Sequence, residues 1–145
     1  QRLLASFLTW LQERKADVFV VATANDLDAL PPELLRKGRF DEVFFVDLPD
    51  AAEREAIFRI HLRLRKQDPE RVDLQRVVQA SDGFSGAEIE QAVIGALYRA
   101  LHAKRPLDTA LVVEELGATR PLSVTRREEV ERLRTMAQGR FVPVK

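Results

Sequence analysis

The six residues Val18-Phe19-Val20-Val21-Ala22-Thr23 form a short, unbroken run that is apolar and largely β-branched. Such a run suits a strand buried on both faces, as in a parallel sheet, rather than a strand with one face in water. It stops at Asn25-Asp26. A second run, Val43-Phe44-Phe45-Val46, closes at Asp47-Leu48-Pro49, with Pro31-Pro32-Glu33-Leu34-Leu35 between them reading as a short helix started by proline. Ahead of both, Leu3, Leu4, Phe7, Leu8 and Leu11 fall at helical spacing between Arg2 and Arg14, an apolar stripe that needs a core to cover. Helix, strand, short helix and strand in alternation predict the tail end of an α/β unit.

Beyond Pro49 the pattern becomes purely helical. Asp50, with Glu53 three residues on, reads as an N-cap, followed by Ala56, Ile57, Ile60 and Leu64 on one face. Asp73 opens a short helix with Leu74, Val77 and Val78. Ser85-Gly86-Ala87-Glu88 is a capping box opening a longer one, whose stripe is Ile89, Ala92, Val93, Ala96, Leu97, Ala100 and Leu101. Pro106 and Asp108 mark its end and the start of another helix through about Leu116, and Thr125-Arg126-Arg127-Glu128 predicts a cap for a last one, with Val130, Leu133 and Ala137 inward. The boundary falls near Pro49-Asp50, which divides an α/β piece, residues 1–49, from a helical piece, residues 50–145.

Composition narrows the function classes. A chain of 145 residues holds one ordinary domain or two small ones, and with no cysteine it offers neither disulfides nor thiolate metal ligands. Lysine and arginine balance aspartate and glutamate at 23 each, so no global field draws the chain onto nucleic acid or an anionic membrane. The longest apolar runs are about six residues, against the roughly 20 that span a bilayer. These features predict a soluble, cytoplasmic protein, and an amphipathic pattern already under way at Gln1 suggests a segment of a longer one.

Candidate chemistry begins at Asn25. Ligands of open parallel sheets gather at the carboxyl ends of strands, and a carboxamide there can donate to a phosphate oxygen while accepting from a water. An asparagine at a strand end also serves simply as an Asx turn. Eleven residues on, Arg36-Lys37-Gly38-Arg39 places two arginines three apart in a loop that its glycine lets turn tightly. A planar, permanently charged guanidinium suits the charge that develops on a transferring phosphoryl group. The same loop can equally pair with neighbours such as Asp41 and Glu42.

In identity and spacing together, this stretch resembles the second region of homology of the AAA ATPases. Val20-Val21-Ala22-Thr23-Ala24-Asn25 is similar to the family's sensor-1 strand. Leu30-Pro31-Pro32-Glu33-Leu34-Leu35-Arg36-Lys37-Gly38-Arg39-Phe40-Asp41 is similar to its arginine-finger helix and loop, with Lys37 where the family often has proline. Leu48-Pro49-Asp50 resembles the junction to the C-terminal helical lid. Ile60-His61 and Gly83-Phe84-Ser85-Gly86-Ala87-Glu88 resemble the lid itself, and Arg120-Pro121-Leu122-Ser123-Val124-Thr125 with the charged helix after it resembles a bacterial and plastid branch.

The resemblance implies a fold class: the C-terminal part of a parallel-sheet P-loop NTPase core, two strands kept, followed by an α-helical lid. It implies roles as well. Asn25 is the sensor that orients water, Arg36 and Arg39 are fingers reaching into a neighbouring subunit's site, and His61, Gly86 and Ala87 line the nucleoside of ATP. ATP and Mg2+ belong to the full-length protein, with none expected tightly bound to this segment. Its partners are further copies of itself, in a ring that is hexameric by resemblance, and a protein client of unstated kind.

The sequence contains no Gly-x-x-x-x-Gly-Lys-Ser/Thr and no apolar strand ending in two acidic residues, so the segment alone is expected to be inactive. A different class of function stays open at this point: a non-catalytic helical interaction module, or a degenerate partner that donates fingers. From Arg120 on, seven basic residues stand against three acidic ones, but the helix spacing of Arg127 with Glu131 and Glu128 with Arg132 favours a solvated face over a nucleic-acid contact.

Overall fold

The structure is a computed structural model that describes residues 2–13, 17–24, 30 and 40–144. It is mostly helical, with a small two-stranded parallel sheet. Two compact units divide the chain, one made of residues up to Val46 together with those from Thr135 on, the other of Asp47–Arg134.

In the first unit, α1 (Arg2–Glu13) carries the predicted amphipathic pattern; Leu11 is buried, and Phe7 stacks on Trp10 with ring centroids 6.0 Å apart. Its sheet pairs β1 (Phe44–Phe45) with β2 (Val142–Pro143), Phe44 opposite Val142 and Phe45 opposite Pro143. The ladder bonds run from Val142 N to Val43 O at 3.0 Å and from Val144 N to Phe45 O at 3.1 Å. Proline is tolerated between those two donors because alternate residues of a strand turn their N–H groups to opposite edges, so the group it lacks would face away from β1.

The strand expected over Val18–Thr23 is not formed: residues 17–24 run without regular secondary structure, with Phe19 and Val21 exposed. An unbroken apolar run makes a buried strand only with strands to pair with and layers over both faces, and the one sheet among the described residues joins β1 to β2. The short helix expected at Pro31–Leu35 lies outside the described residues.

The second unit is helical: α2 (Ala51–Leu64), a 3₁₀ turn (Pro69–Arg71), α3 (Leu74–Ala80), α4 (Gly86–His102), α5 (Thr109–Ala118), the short α6 (Leu122–Thr125) and α7 (Arg127–Ala137) as far as Arg134. Asp50 and Ser85 form reciprocal capping boxes with Glu53 and Glu88, while Asp73 and Asp108 cap α3 and α5. The cap expected at Thr125 is replaced by a tighter turn in which its Oγ1 donates to Pro121 O and Leu122 O, closing α6 before α7 begins.

α4 packs against α2 on one flank and α5 on another, and α3 packs against both α2 and α5. Ala92, Ala96 and Ala100 recur every four residues along α4, and all are buried, so neighbouring backbones come close. Phe58, Leu62, Val77, Ile89, Val93, Val112 and Leu116 are among the other core residues. On α2 the inward face differs from the expected one. Phe58 and Leu62 are fully buried and Ile57 is half-buried, whereas Ile60 and Leu64 are exposed, because the buried row runs Arg54, Phe58, Leu62 and opens on a charged residue.

Both long helices end without glycine. Lys66 and Lys104 take positive φ, 57° and 51°. Gln67 N reaches back to Leu62 O at 2.9 Å and Arg105 N to Ala100 O at 3.0 Å, the six-to-one bonds of a Schellman motif.

Candidate functional site

Asn25, Arg36 and Arg39 lie outside the described residues, so the geometry available is that of the lid positions. His61 sits in the last turn of α2 and Gly86 is the first residue of α4. The two helices run side by side here. A Cβ placed on Gly86 would stand 3.5 Å from Ile57 Cδ1, and one turn along both helices Glu90 Oε1 lies 3.6 Å from His61 Nδ1. His61 and Gly86 therefore share one α2–α4 seam.

A charge cluster fixes the His61 ring. Arg65 Nη1 is 3.2 Å from His61 Nδ1, and Arg65 Nη2 donates to Glu90 Oε1 at 2.7 Å. Arginine only donates, so this contact makes Nδ1 the acceptor and assigns the proton of the neutral ring to Nε2. The hydrogen bond from Arg65 holds the Glu90 carboxyl below its usual range against the opposing effect of burial, and the charge of Arg65 adds to it.

Ala87 lies one step round α4 from Gly86 and faces elsewhere. With Gln91, Gly95 and Tyr98 of the same helix, Glu115 of α5 and Leu122 of α6, it lines an open, mainly apolar groove of about 550 Å³. The structure thus brings His61 and Gly86 together and sets Ala87 on an adjacent face. Small residues at the start of α4 leave its backbone open to close approach, and the positive end of the helix favours an anionic group there. Among the described residues no group of three or more His, Asp or Glu could hold a metal ion. No helix among them is long and apolar enough to cross a membrane.

One residue that sequence reasoning passed over is Arg54. It is 7% exposed, donates from Nη1 to Pro49 O at 3.0 Å and from Nη2 to Val78 O at 3.4 Å, and pairs with Asp82 Oδ1 at 3.4 Å. Its Nε is buried without a partner. The available signal was its spacing, four residues ahead of Phe58 and eight ahead of Leu62.

Comparison with known proteins reaches both parts of the chain. Residues 1–48 match the model of the ATPase family associated with various cellular activities (AAA), and residues 71–113 match that of the AAA+ lid domain. The AAA domain-containing protein ycf46 of Guillardia theta is 46% identical over 140 residues, which is 96% of this chain and 28% of that protein. The ATP-dependent zinc metalloprotease FtsH of Mesoplasma florum is 41% identical over 98 residues, 68% of this chain and 15% of that protein. A proteasome-activating nucleotidase of Saccharolobus islandicus is 40% identical over 89 residues, 61% and 22% of the two chains. The chain therefore spans little more than a quarter of the ycf46 protein it matches along nearly its whole length. With the AAA segment and the AAA+ lid following one another in a single chain, this protein belongs to the AAA family, of which it carries the C-terminal region.

Proposed function

We propose that the chain works within an AAA ATPase that binds and hydrolyses ATP in a ring of identical subunits, a hexamer by family resemblance. The observation that carries this reading is the order of the two family segments in one chain, with Asn25, Arg36 and Arg39 inside the first, Gly86 and Ala87 inside the second and His61 between them.

In this reading Asn25 orients the attacking water or senses the γ-phosphate through its carboxamide. Arg36 and Arg39 reach into the neighbouring subunit's site, where a guanidinium stabilises charge on the transferring phosphoryl group and is worth orders of magnitude in rate. His61, Gly86 and Ala87 line the nucleoside, and the His61 Nε2–H supplies one donor on the α2 side. Magnesium, when bound, neutralises phosphate charge. Fingers acting across an interface require head-to-tail assembly. The client that such a ring would act on is a protein, chosen by parts outside these residues.

The test is ATP turnover by the full-length protein and by its Asn25→Ala and Arg36→Ala variants. Both substitutions are expected to lower kcat by at least tenfold while the ring stays assembled. Unchanged turnover in Arg36→Ala with an intact ring removes the finger assignment. A full-length protein with no ATP turnover at all turns the reading toward a non-catalytic, finger-donating or helical interaction module.

A further inference from the structure

We propose that Pro121–Thr125 is a strap that positions the first turn of α4 for nucleotide, with Leu122 and Ser123 as the positioning residues. The inference rests on the functional reading above and adds to it a role for a segment outside the two stretches that match the family models.

Two adjacent residues of the strap grip both ends of the Gly83–Glu88 stretch. Leu122 N donates to Glu88 Oε1 at 2.8 Å, and Ser123 Oγ donates to Gly83 O at 2.6 Å. The Glu88 carboxylate is thereby divided: Oε2 accepts from Ser85 N and Ser85 Oγ, both at 2.8 Å, and closes the capping box, while Oε1 holds the strap. At the other end Gly83 has φ +76°, and a Cβ there would stand 2.7 Å from Ser123 Oγ. Only glycine permits both the backbone turn and the approach of the serine.

The segment between these two grips contains Gly86 and Ala87. Holding a loop and a helix start in one conformation before a ligand arrives removes the ordering cost from the binding step. Loosening either grip leaves the nucleoside-lining residues chemically intact and makes nucleotide order them. The strap thus acts on affinity, not on the chemical step.

Proline at 122 offers a selective probe. Leu122 is the first residue of α6, a position that tolerates proline, and Pro121 before it has ψ 149°, the extended value a residue preceding proline needs. Leu122→Pro therefore deletes the N–H that reaches Glu88 and leaves the helix able to form, whereas Leu122→Ala removes the side chain and keeps the N–H.

The experiment measures equilibrium binding of fluorescently labelled ADP, and KM and kcat for ATP, in the full-length protein, wild type and variant. Leu122→Pro and Ser123→Ala are each expected to weaken ADP binding and raise KM about fivefold, the equivalent of one net hydrogen bond, at nearly unchanged kcat. Leu122→Pro should weaken binding more than Leu122→Ala, and Ser123→Thr should restore it. Wild type that binds ADP with variants that bind it equally well, or more tightly, overturns the strap and leaves the functional reading standing. An equal loss in Leu122→Pro and Leu122→Ala also overturns it, by tracing the effect to the side chain. Wild type that binds no nucleotide overturns both.

Discussion

Arg65, at the C-terminal cap of α2, and Glu90 of α4 meet with Nη2 2.7 Å from Oε1, and the same oxygen lies 3.6 Å from His61 Nδ1. The pair stitches the α2–α4 seam at the place where His61 is held. Because Glu90 titrates below its usual range in the fold, its contribution is complete above the ordinary glutamate value of about 4 and is lost as pH falls through the lower folded value. Glu90→Gln should therefore lower the melting temperature at pH 7, and the gap to wild type should close as the pH is taken below about 4. Thermal unfolding of both proteins across that range measures it; a gap independent of pH would contradict the assignment.

Arg54 makes the reverse case, a charge whose partners are mostly backbone. Asp82, its carboxylate neighbour, has 89% of its side chain exposed, so that ion pair is screened and worth at most about 1 kcal/mol. The bonds to Pro49 O and Val78 O are made by a guanidinium that is itself buried. Arg54→Met keeps the aliphatic length but deletes both bonds, and should cost about 2 kcal/mol. Asp82→Ala should cost under about 1 kcal/mol. Urea unfolding of the two variants ranks them, and an equal loss in both would show the ion pair to dominate.

What the sequence could and could not disclose follows from these residues. Asp50, Asp73, Ser85 and Asp108 were readable as caps because a cap is a local bond, made within three residues. The inner face of α2 was misread because its row opens with Arg54, whose burial depends on carbonyls at Pro49 and, far along the chain, Val78. Val18–Thr23 was read as a strand from its composition, but strand formation needs a partner that composition does not name, and β1 found its own in Val142–Pro143, about a hundred residues away. Of the candidate site, His61 and Gly86 lie along one α2–α4 seam while Ala87 faces another groove, an arrangement that needs the packed helices to be seen. The division of Glu88 between Ser85 and Leu122 was invisible, because a capping-box glutamate already looks satisfied in sequence.

Helix ends are a further place where residue identity misleads. Lys104 closes α4 at φ 51°, a left-handed conformation that costs a residue with a Cβ about 1–2 kcal/mol and costs glycine almost nothing. Glycine gives back part of that gain as extra freedom in the unfolded chain. Lys104→Gly should therefore stabilise the protein by about 1 kcal/mol, read as a rise in melting temperature, while Lys104→Ala, which keeps the strain, should not. A destabilising glycine would show that the lysine side chain contributes more than its backbone costs.

Gly95 tests close approach within the helical unit. It lies inside α4, where replacing glycine by alanine ordinarily gains about 1 kcal/mol of helix stability. Here the new Cβ would stand 2.5 Å from Glu115 Oε1, 2.6 Å from Cδ and 2.9 Å from Cγ. Glu115 would have to leave its rotamer and loosen the 2.6 Å bond that Arg99 Nε makes to its Oε2. Moving off a rotamer costs about 1 kcal/mol, and a partly exposed ion pair adds up to about 1 kcal/mol more. On the wild-type background these losses offset or exceed the helical gain, so Gly95→Ala should be neutral or destabilising. In Glu115→Ala the obstruction is gone and the same substitution should stabilise by about 1 kcal/mol. The four proteins form a double-mutant cycle, and denaturant unfolding should give a coupling energy of about 1–2 kcal/mol. Additive effects would mean that the Glu115 side chain does not rest on α4 at Gly95.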